Sequence, residues 1–271
     1  CFPIYWALLN HVNPSEVLVH RMLWSVPVLF FLVYSKPSWR LNFKESLSSR
    51  KELLFLLITA ILITINWGGY ILAVNLGRVV EASMGYFLSP VINMIGGYVF
   101  FHERISKLKQ LAVLFATVGA LFYVFSGDSF PWLGFLVGFT FSAYGIARKA
   151  MSSSAVPGLY IETLILLPFF LVFSIWFYSN FDVSFFNVDI STDILLFLAG
   201  AVTVIPLALF NAGAKLLPMT TVGVLFLITP TLQFLVGYYL QNEAVNTNQL
   251  IGFVGVWTGL IMYSYGLIKD K

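Results

Sequence analysis

Residues 81–104 read EASMGYFLSPVINMIGGYVFFHER, and residues 221–244 read TVGVLFLITPTLQFLVGYYLQNEA. Each is a nearly unbroken apolar run that closes on a glutamate. A helix of about 20 such residues rises about 30 Å, the thickness of a bilayer's hydrocarbon core. A shift of 140 residues puts Pro90 on Pro230, Asn93 on Gln233, Gly97 on Gly237, Tyr98 on Tyr238 and Glu103 on Glu243. The register continues with Gly119 on Gly259 and Tyr123 on Tyr263. At an offset of 141, Pro27 falls on Pro168 and Arg21 on Glu162. The chain therefore reads as two related halves built of membrane-crossing helices.

The composition leads the same way. Of 271 residues, 59% are hydrophobic and 10% charged, and the mean hydropathy of +0.88 leaves too little polar surface to cover a water-soluble globule. Lipid admits only helices or a closed barrel, and barrel strands alternate apolar with polar residues whereas these runs are continuous. Polar, proline and glycine breaks place ten spans near residues 1–10 (partial), 15–34, 53–74, 81–101, 108–126, 130–149, 157–178, 193–214, 219–240 and 249–268. The expected fold is an all-α integral membrane protein of ten transmembrane helices in two five-helix repeats, 1–126 and 130–271, with the N-terminal part of helix one missing. Five is odd, so the second repeat is inverted.

Sorted by alternate loops, the basic residues from Lys36 to Lys51, then Arg104, Lys107, Lys109, Arg148, Lys149, Lys215, Lys269 and Lys271, share one side with the C-terminus. Only Arg78 falls on the other. The positive-inside rule makes the basic side cytoplasmic and the location the cytoplasmic (cell inner) membrane. Basic residues scattered over separated loops exclude nucleic acid as a partner and leave a small-molecule substrate and membrane lipids; the oligomeric state is not legible. The lone Cys1 excludes an intramolecular disulfide. His11, His20 and His102 share no metal-binding spacing, and neither HExxH nor GxSxG occurs, so no cofactor, metal or enzyme chemistry is expected.

Polar groups inside the spans carry what functional signal there is. Asn93 and its mate Gln233 sit some 12 to 14 residues into their spans, about 18 to 21 Å along the axis and near the midplane. A buried amide there either bridges helices or lines a wet cavity. Asn66 and Trp67 lie at similar depth in the third span, with Pro206 as the mate of Asn66, and Tyr86 and Tyr144 offer rings and hydroxyls. These six side chains, Asn66, Trp67, Tyr86, Asn93, Tyr144 and Gln233, form the expected midplane substrate cavity. Pro27, Pro90, Pro168, Pro206 and Pro230 interrupt spans, and the mates Pro90 and Pro230 are the expected hinges. His20 and Arg21 in the second span and Glu162 in the seventh are ionisable groups in lipid, expected to be paired as structural ties or gates. Glu81 is the expected partner of Arg21, and Arg148 or Lys215 that of Glu162. Gly134 with Gly138, and Gly255 with Gly259, are spaced for close helix packing. Glu103 and Glu243 are expected to anchor loops.

Several strings go further. HRMLWS (20–25), Asn66 with Trp67, AVN ending at Asn75, EASMGYFLSPVIN (81–93), AYGIARK (143–149) and IETLILLP (161–168) resemble the RarD group of the EamA branch of drug/metabolite transporters. The resemblance covers nearly the whole chain. It implies ten helices in two inverted halves, cytoplasmic termini, and a cavity among helices one, three, four, six, eight and nine. It is unspecific for substrate: the RarD name is tied to chloramphenicol sensitivity or resistance, and wider relatives move amino acids, nucleosides and other metabolites. The expected function is a secondary transporter of a small polar, zwitterionic or amphipathic metabolite or drug, working by alternating access. The alternatives are a receptor or assembly protein on the same fold and, further off, an intramembrane enzyme.

Overall fold

The computed structural model describes residues 5–6, 8–76, 85–125, 132–229, 231–232 and 247–269. Among them the chain is helical, without strands: α1 Pro14–Ser35, α2 Pro37–Ser48, α3 Arg50–Asn75, a 3-10 turn at Gly85–Leu88, α4 Ser89–Phe101, α5 Lys107–Val124, α6 Trp132–Ala150, α7 Ala155–Asn180, α8 Ile190–Leu216, α9 Met219–Phe226 and α10 Thr247–Lys269. Five stretches are long and apolar enough to cross a membrane: Pro14–Ser35, Arg50–Ala73, Ala155–Asn180, Ile190–Leu216 and Leu250–Lys269.

Local chemistry sets several boundaries. Asn13 accepts the Ser15 N–H ahead of α1, and Pro14 fills the first helical position, where a missing N–H costs nothing. Asp189 precedes α8 and accepts from the Ser191 hydroxyl and the Thr192 N–H, which hold its carboxyl below the usual range. Pro27, Pro168 and Pro206 lie inside α1, α7 and α8 as expected.

Three differences from the sequence reading have physical causes. Residues 37–48, taken as connecting loop, form α2. Pro37 starts it, and Trp39, Asn42, Phe43 and Ser46 recur at helical spacing on its one docked side. The expected span 81–101 is, in its described part, a 3-10 turn followed by α4, with Pro90 in the first turn of α4. The expected span 219–240 is interrupted at Leu227, which bonds back to Val224 at 3.1 Å, and the described residues 228–229 and 231–232 are helical again. Phe226 is four residues before Pro230, a residue with no N–H to offer that carbonyl.

Two compact units result, residues 1–61 with 147–213 and residues 62–146 with 214–271. In the first, α1 packs on α7 through Leu29, Val33, Val156, Leu159 and Tyr160. In the second, α5 and α10 form the most extensive helix pair. Gly119 and Gly259 make that possible: a Cβ at Gly119 would strike the Gly252 carbonyl, and one at Gly259 the backbone of Ala112 and Ala116. Gly134 and Gly138 likewise admit Gly85 against the backbone of α6. The expected glycine packing is thus present on both α6 and α10.

Candidate functional site

In the second unit α4 runs alongside α6. Gly85 meets Gly134 and Gly138, and Gly96 lies against Ile146. Gly138, Ser142 and Ile146 are successive turns of one α6 stripe, and Gly85, Ser89, Asn93 and Gly96 the facing stripe on the other side. Helical spacing puts Ser89, Asn93 and Ser142 along this α4–α6 approach, or seam. They are 1%, 3% and 1% exposed, yet Ser89 Oγ, Asn93 Oδ1 and Ser142 Oγ have no hydrogen-bond partner within the protein. A native interior rarely leaves such groups unmatched, so each calls for a water, an ion or a ligand to meet it. Gly223 of α9 comes so close to the Asn93 side chain that a Cβ there would sit 3.0 Å from the amide nitrogen.

Aromatic rings gather next to this seam. Tyr86 sets its edge against Phe141 at 5.8 Å and against Phe226 at 5.3 Å. Phe141 and Phe226 stack at 4.8 Å, and Tyr144 lies 6.3 Å from Phe141. Tyr86 and Tyr144, both expected at the cavity, are brought onto one cluster. Phe141 and Phe226, which link them, escaped the sequence reading because one Phe among 27 carries no mark of its own.

Asn66 is placed differently. Its Nδ2 donates to the Val137 carbonyl at 2.7 Å and to the Thr140 hydroxyl at 3.2 Å, tying α3 to α6. Trp67 follows it, half-buried. Of the two roles open to a midplane amide, Asn66 performs the bridging one, whereas the Asn93 oxygen bonds to nothing in the protein. Gln233, Glu81 and Pro230 lie outside the described residues.

The first unit holds a buried ion pair. Arg148 Nη1 lies 3.4 Å from Glu162 Oε1, at 0% and 1% side-chain exposure. The Thr59 hydroxyl donates to the same oxygen at 2.5 Å. Arg148 Nη2 also donates to the carbonyls of Ser154 and Ala155 at 3.2 and 3.0 Å. Its guanidinium lies so close over Gly158 that a Cβ there would strike it. Of the two partners expected for Glu162, the structure supplies Arg148. Arg21, the mate of Glu162, donates from Nε to the Thr203 hydroxyl at 3.0 Å and stands 4.9 Å over the Trp6 ring. His20 accepts from Trp24 Nε1 on Nδ1 at 3.0 Å. Indole N–H only donates, so the neutral ring keeps its proton on Nε2, 2.9 Å from the Tyr178 oxygen.

Three glutamates hold backbone N–H groups. Glu16, fully buried, accepts from Ser184 and Phe185 at 2.8 to 3.0 Å. Glu52 accepts from Ser152 and Ser153 at 3.0 and 3.1 Å. Glu103 accepts from Met219 and Thr220 at 2.8 and 3.4 Å, at the positive N-terminus of α9. Anchoring was expected of Glu103; Glu16 and Glu52 were missed, since nothing in their neighbouring sequence shows which distant N–H groups they meet. Glu103→Gln should lower stability by about 1 kcal/mol. Thermal unfolding in detergent measures it, and an unchanged Tm would contradict the cap. Among the described residues no cluster of three or more His, Cys, Asp or Glu side chains could hold a metal ion.

Comparison with known proteins gives this architecture its family. The EamA-like transporter family model matches residues 2–125. An uncharacterized transporter of Bacillus subtilis, YojE, is 34% identical over all of this chain and 91% of its own length. Protein RarD of Escherichia coli is 33% identical over 96% of this chain and 88% of its own. The chain belongs to the RarD group of the EamA-like transporter family. The uncharacterized transporter PA0485 of Pseudomonas aeruginosa is 34% identical over 97% of this chain and 88% of its own length. A protein of known crystal structure superposes with a TM-score of 0.71 over 97% of this chain and 91% of that one. At 14% identity, that is a likeness of fold alone. This member of the group is thus a multi-pass membrane protein of transporter type, as the names of the Bacillus subtilis and PA0485 relatives also say of those proteins.

Proposed function

We propose that this protein carries a small, neutral or zwitterionic polar or amphipathic molecule, a metabolite or drug, across the cytoplasmic membrane by alternating access. The observation that carries the substrate class is the α4–α6 seam: three buried oxygens without protein partners, next to the cluster of Tyr86, Phe141, Tyr144 and Phe226. Hydroxyls and an amide oxygen match a ligand's N–H and O–H groups, and the rings match its flat or apolar part. No acid or base stands among these side chains, so a strongly charged ligand would find no counter-charge.

Two features support alternating access between the repeats, which this reading takes as inverted with the C-terminus cytoplasmic. Helical regularity breaks just ahead of Pro90 and four residues before Pro230, its mate at 140. Arg21 and Glu162, mates at 141, each bond a threonine of a long helix, Thr203 of α8 and Thr59 of α3. In this reading Pro90 and Pro230 are hinges, the Arg148–Glu162 contact is a gate or proton-coupling pair, and His20, Arg21 and Glu81 are further gating or coupling groups.

Counterflow in proteoliposomes tests the reading, with labelled amino acids, nucleosides and chloramphenicol as the panel, with and without a pH gradient. Saturable exchange of an uncharged or zwitterionic compound is the expected result. Exchange confined to anions or cations would overturn the substrate class, and folded protein with no exchange of any panel member would count against transport.

A further inference from the structure

The helix α2 takes no part in the polar seam, and its chemistry is that of a membrane surface. It joins the ends of two membrane-crossing helices, α1 and α3, so it lies where both leave the hydrocarbon. One side is docked. Trp39 and Phe43 pack on the α1–α7 core, with Phe43 5.2 Å from Tyr160, Ser46 is buried, and Asn42 Oδ1 accepts the Ser154 N–H at 2.7 Å. Away from the docked side Arg40, Leu41, Lys44 and Glu45 are exposed, with Leu47 exposed at its margin, the two leucines at 59% and 43%. A helix docked by one face therefore presents two leucines, two cations and one acid away from it.

The local charge is one-sided. Lys36, Arg50 and Lys51 flank α2 and are exposed as well. Of the nearby acids, Glu45 is exposed and Glu52 is engaged by the backbone of Ser152 and Ser153. The geometry points to a site for anionic phospholipid on α2, in which Arg40 and Lys44 hold headgroup phosphates while Leu41 and Leu47 enter the acyl boundary. Leucine on an interfacial helix supplies burial, and each cation near an anionic surface adds attraction that a zwitterionic headgroup does not.

The site has a route inward. Ser154 gives its N–H to Asn42 of α2 and its carbonyl to Arg148, the partner of Glu162. A lipid that fixes α2 therefore steadies the connection between α6 and α7 that positions the buried pair. Lipid binding becomes a stabilising and regulatory input at a point remote from the polar seam.

The test needs no transport assay, so its outcome is separate from that of the transport reading. Purified full-length chain in detergent is titrated with short-chain phosphatidylglycerol, with short-chain phosphatidylcholine, and with glycerol phosphate, reading Tm. Phosphatidylglycerol should raise Tm more than phosphatidylcholine does, and added salt should erase the difference. Arg40→Gln with Lys44→Gln should keep the Tm seen in phosphatidylcholine and weaken phosphatidylglycerol binding about 25-fold, at roughly fivefold per cation. Should that variant fold poorly, Leu41→Gln with Leu47→Gln changes only exposed positions and should also weaken binding. Equal shifts with both lipids, an unaltered phosphatidylglycerol response in the folded variants, or an equal shift with glycerol phosphate, which would mark a free-phosphate site, would each overturn the proposal.

Discussion

Arg148→Ala should destabilise the folded protein by about 3–5 kcal/mol, the cost of leaving a buried charge without its partner. The side chain is fully buried at the end of α6 and engages Glu162 and the carbonyls of Ser154 and Ala155. Truncation removes those donors together and leaves the Glu162 carboxylate, which the Thr59 hydroxyl still meets, without the guanidinium that balances its charge. Alanine also leaves a hole over Gly158, where the guanidinium now rests. Arg148→Lys should fall between, since a compact ammonium keeps the charge and cannot reach several acceptors as a planar fork does. The decisive variant is the double, Arg148→Met with Glu162→Gln. It buries no unpaired charge and should lose less than the sum of the two single changes. Unfolding of the four proteins in one detergent gives the cycle. Additive losses would show that the pair, at 3.4 Å, has no energetic coupling.

The contrast between what the sequence revealed and what it hid follows the range of the interactions involved. Membrane helices were legible because hydropathy is a local sum over about 20 residues, and α1, α3, α5, α6, α7 and α8 begin and end within a few residues of the expected limits. Pro90 and Pro230 mark in the sequence where helical regularity would fail, but the 3-10 turn at Gly85–Leu88 and the turn at Leu227 after α9 also depend on the carbonyl four residues upstream of each proline. The α2 helix was masked by its charges: Lys36, Arg40, Lys44, Arg50 and Lys51 read as loop, although Trp39 and Phe43 stand one turn apart.

Site chemistry was legible only by residue type. The sequence offers Asn66 and Asn93 as equivalent midplane amides, and only the packing of α3 and α4 against α6 gives one its partners and leaves the oxygen of the other unmatched. Ser89 and Ser142 carried no signal, because a helical serine commonly satisfies itself on the carbonyl a turn back, as Ser25 does on Arg21. Whether such a hydroxyl does so is a matter of rotamer, which the sequence does not encode.

That distinction yields an expected result for the two amides. Asn66→Ala removes two donated bonds and leaves the Val137 carbonyl unmatched in a buried setting, so stability should fall by about 1–3 kcal/mol. Asn93→Ala removes an oxygen with no hydrogen-bond partner in the protein, so Tm should fall less than in Asn66→Ala. If that oxygen accepts from the substrate, transport efficiency should drop about 10- to 100-fold, a hydrogen bond of about 1.4–3 kcal/mol lost from the bound state. The two variants thus predict opposite patterns, loss of stability in one and loss of transport in the other. Counterflow and thermal unfolding on the same preparations read both. An Asn93→Ala protein that unfolds as readily as Asn66→Ala would make Asn93 a second helix bridge. One that keeps both stability and transport would remove the α4–α6 seam from the substrate's path, because a buried acceptor whose loss changes neither quantity is in contact with neither protein nor ligand.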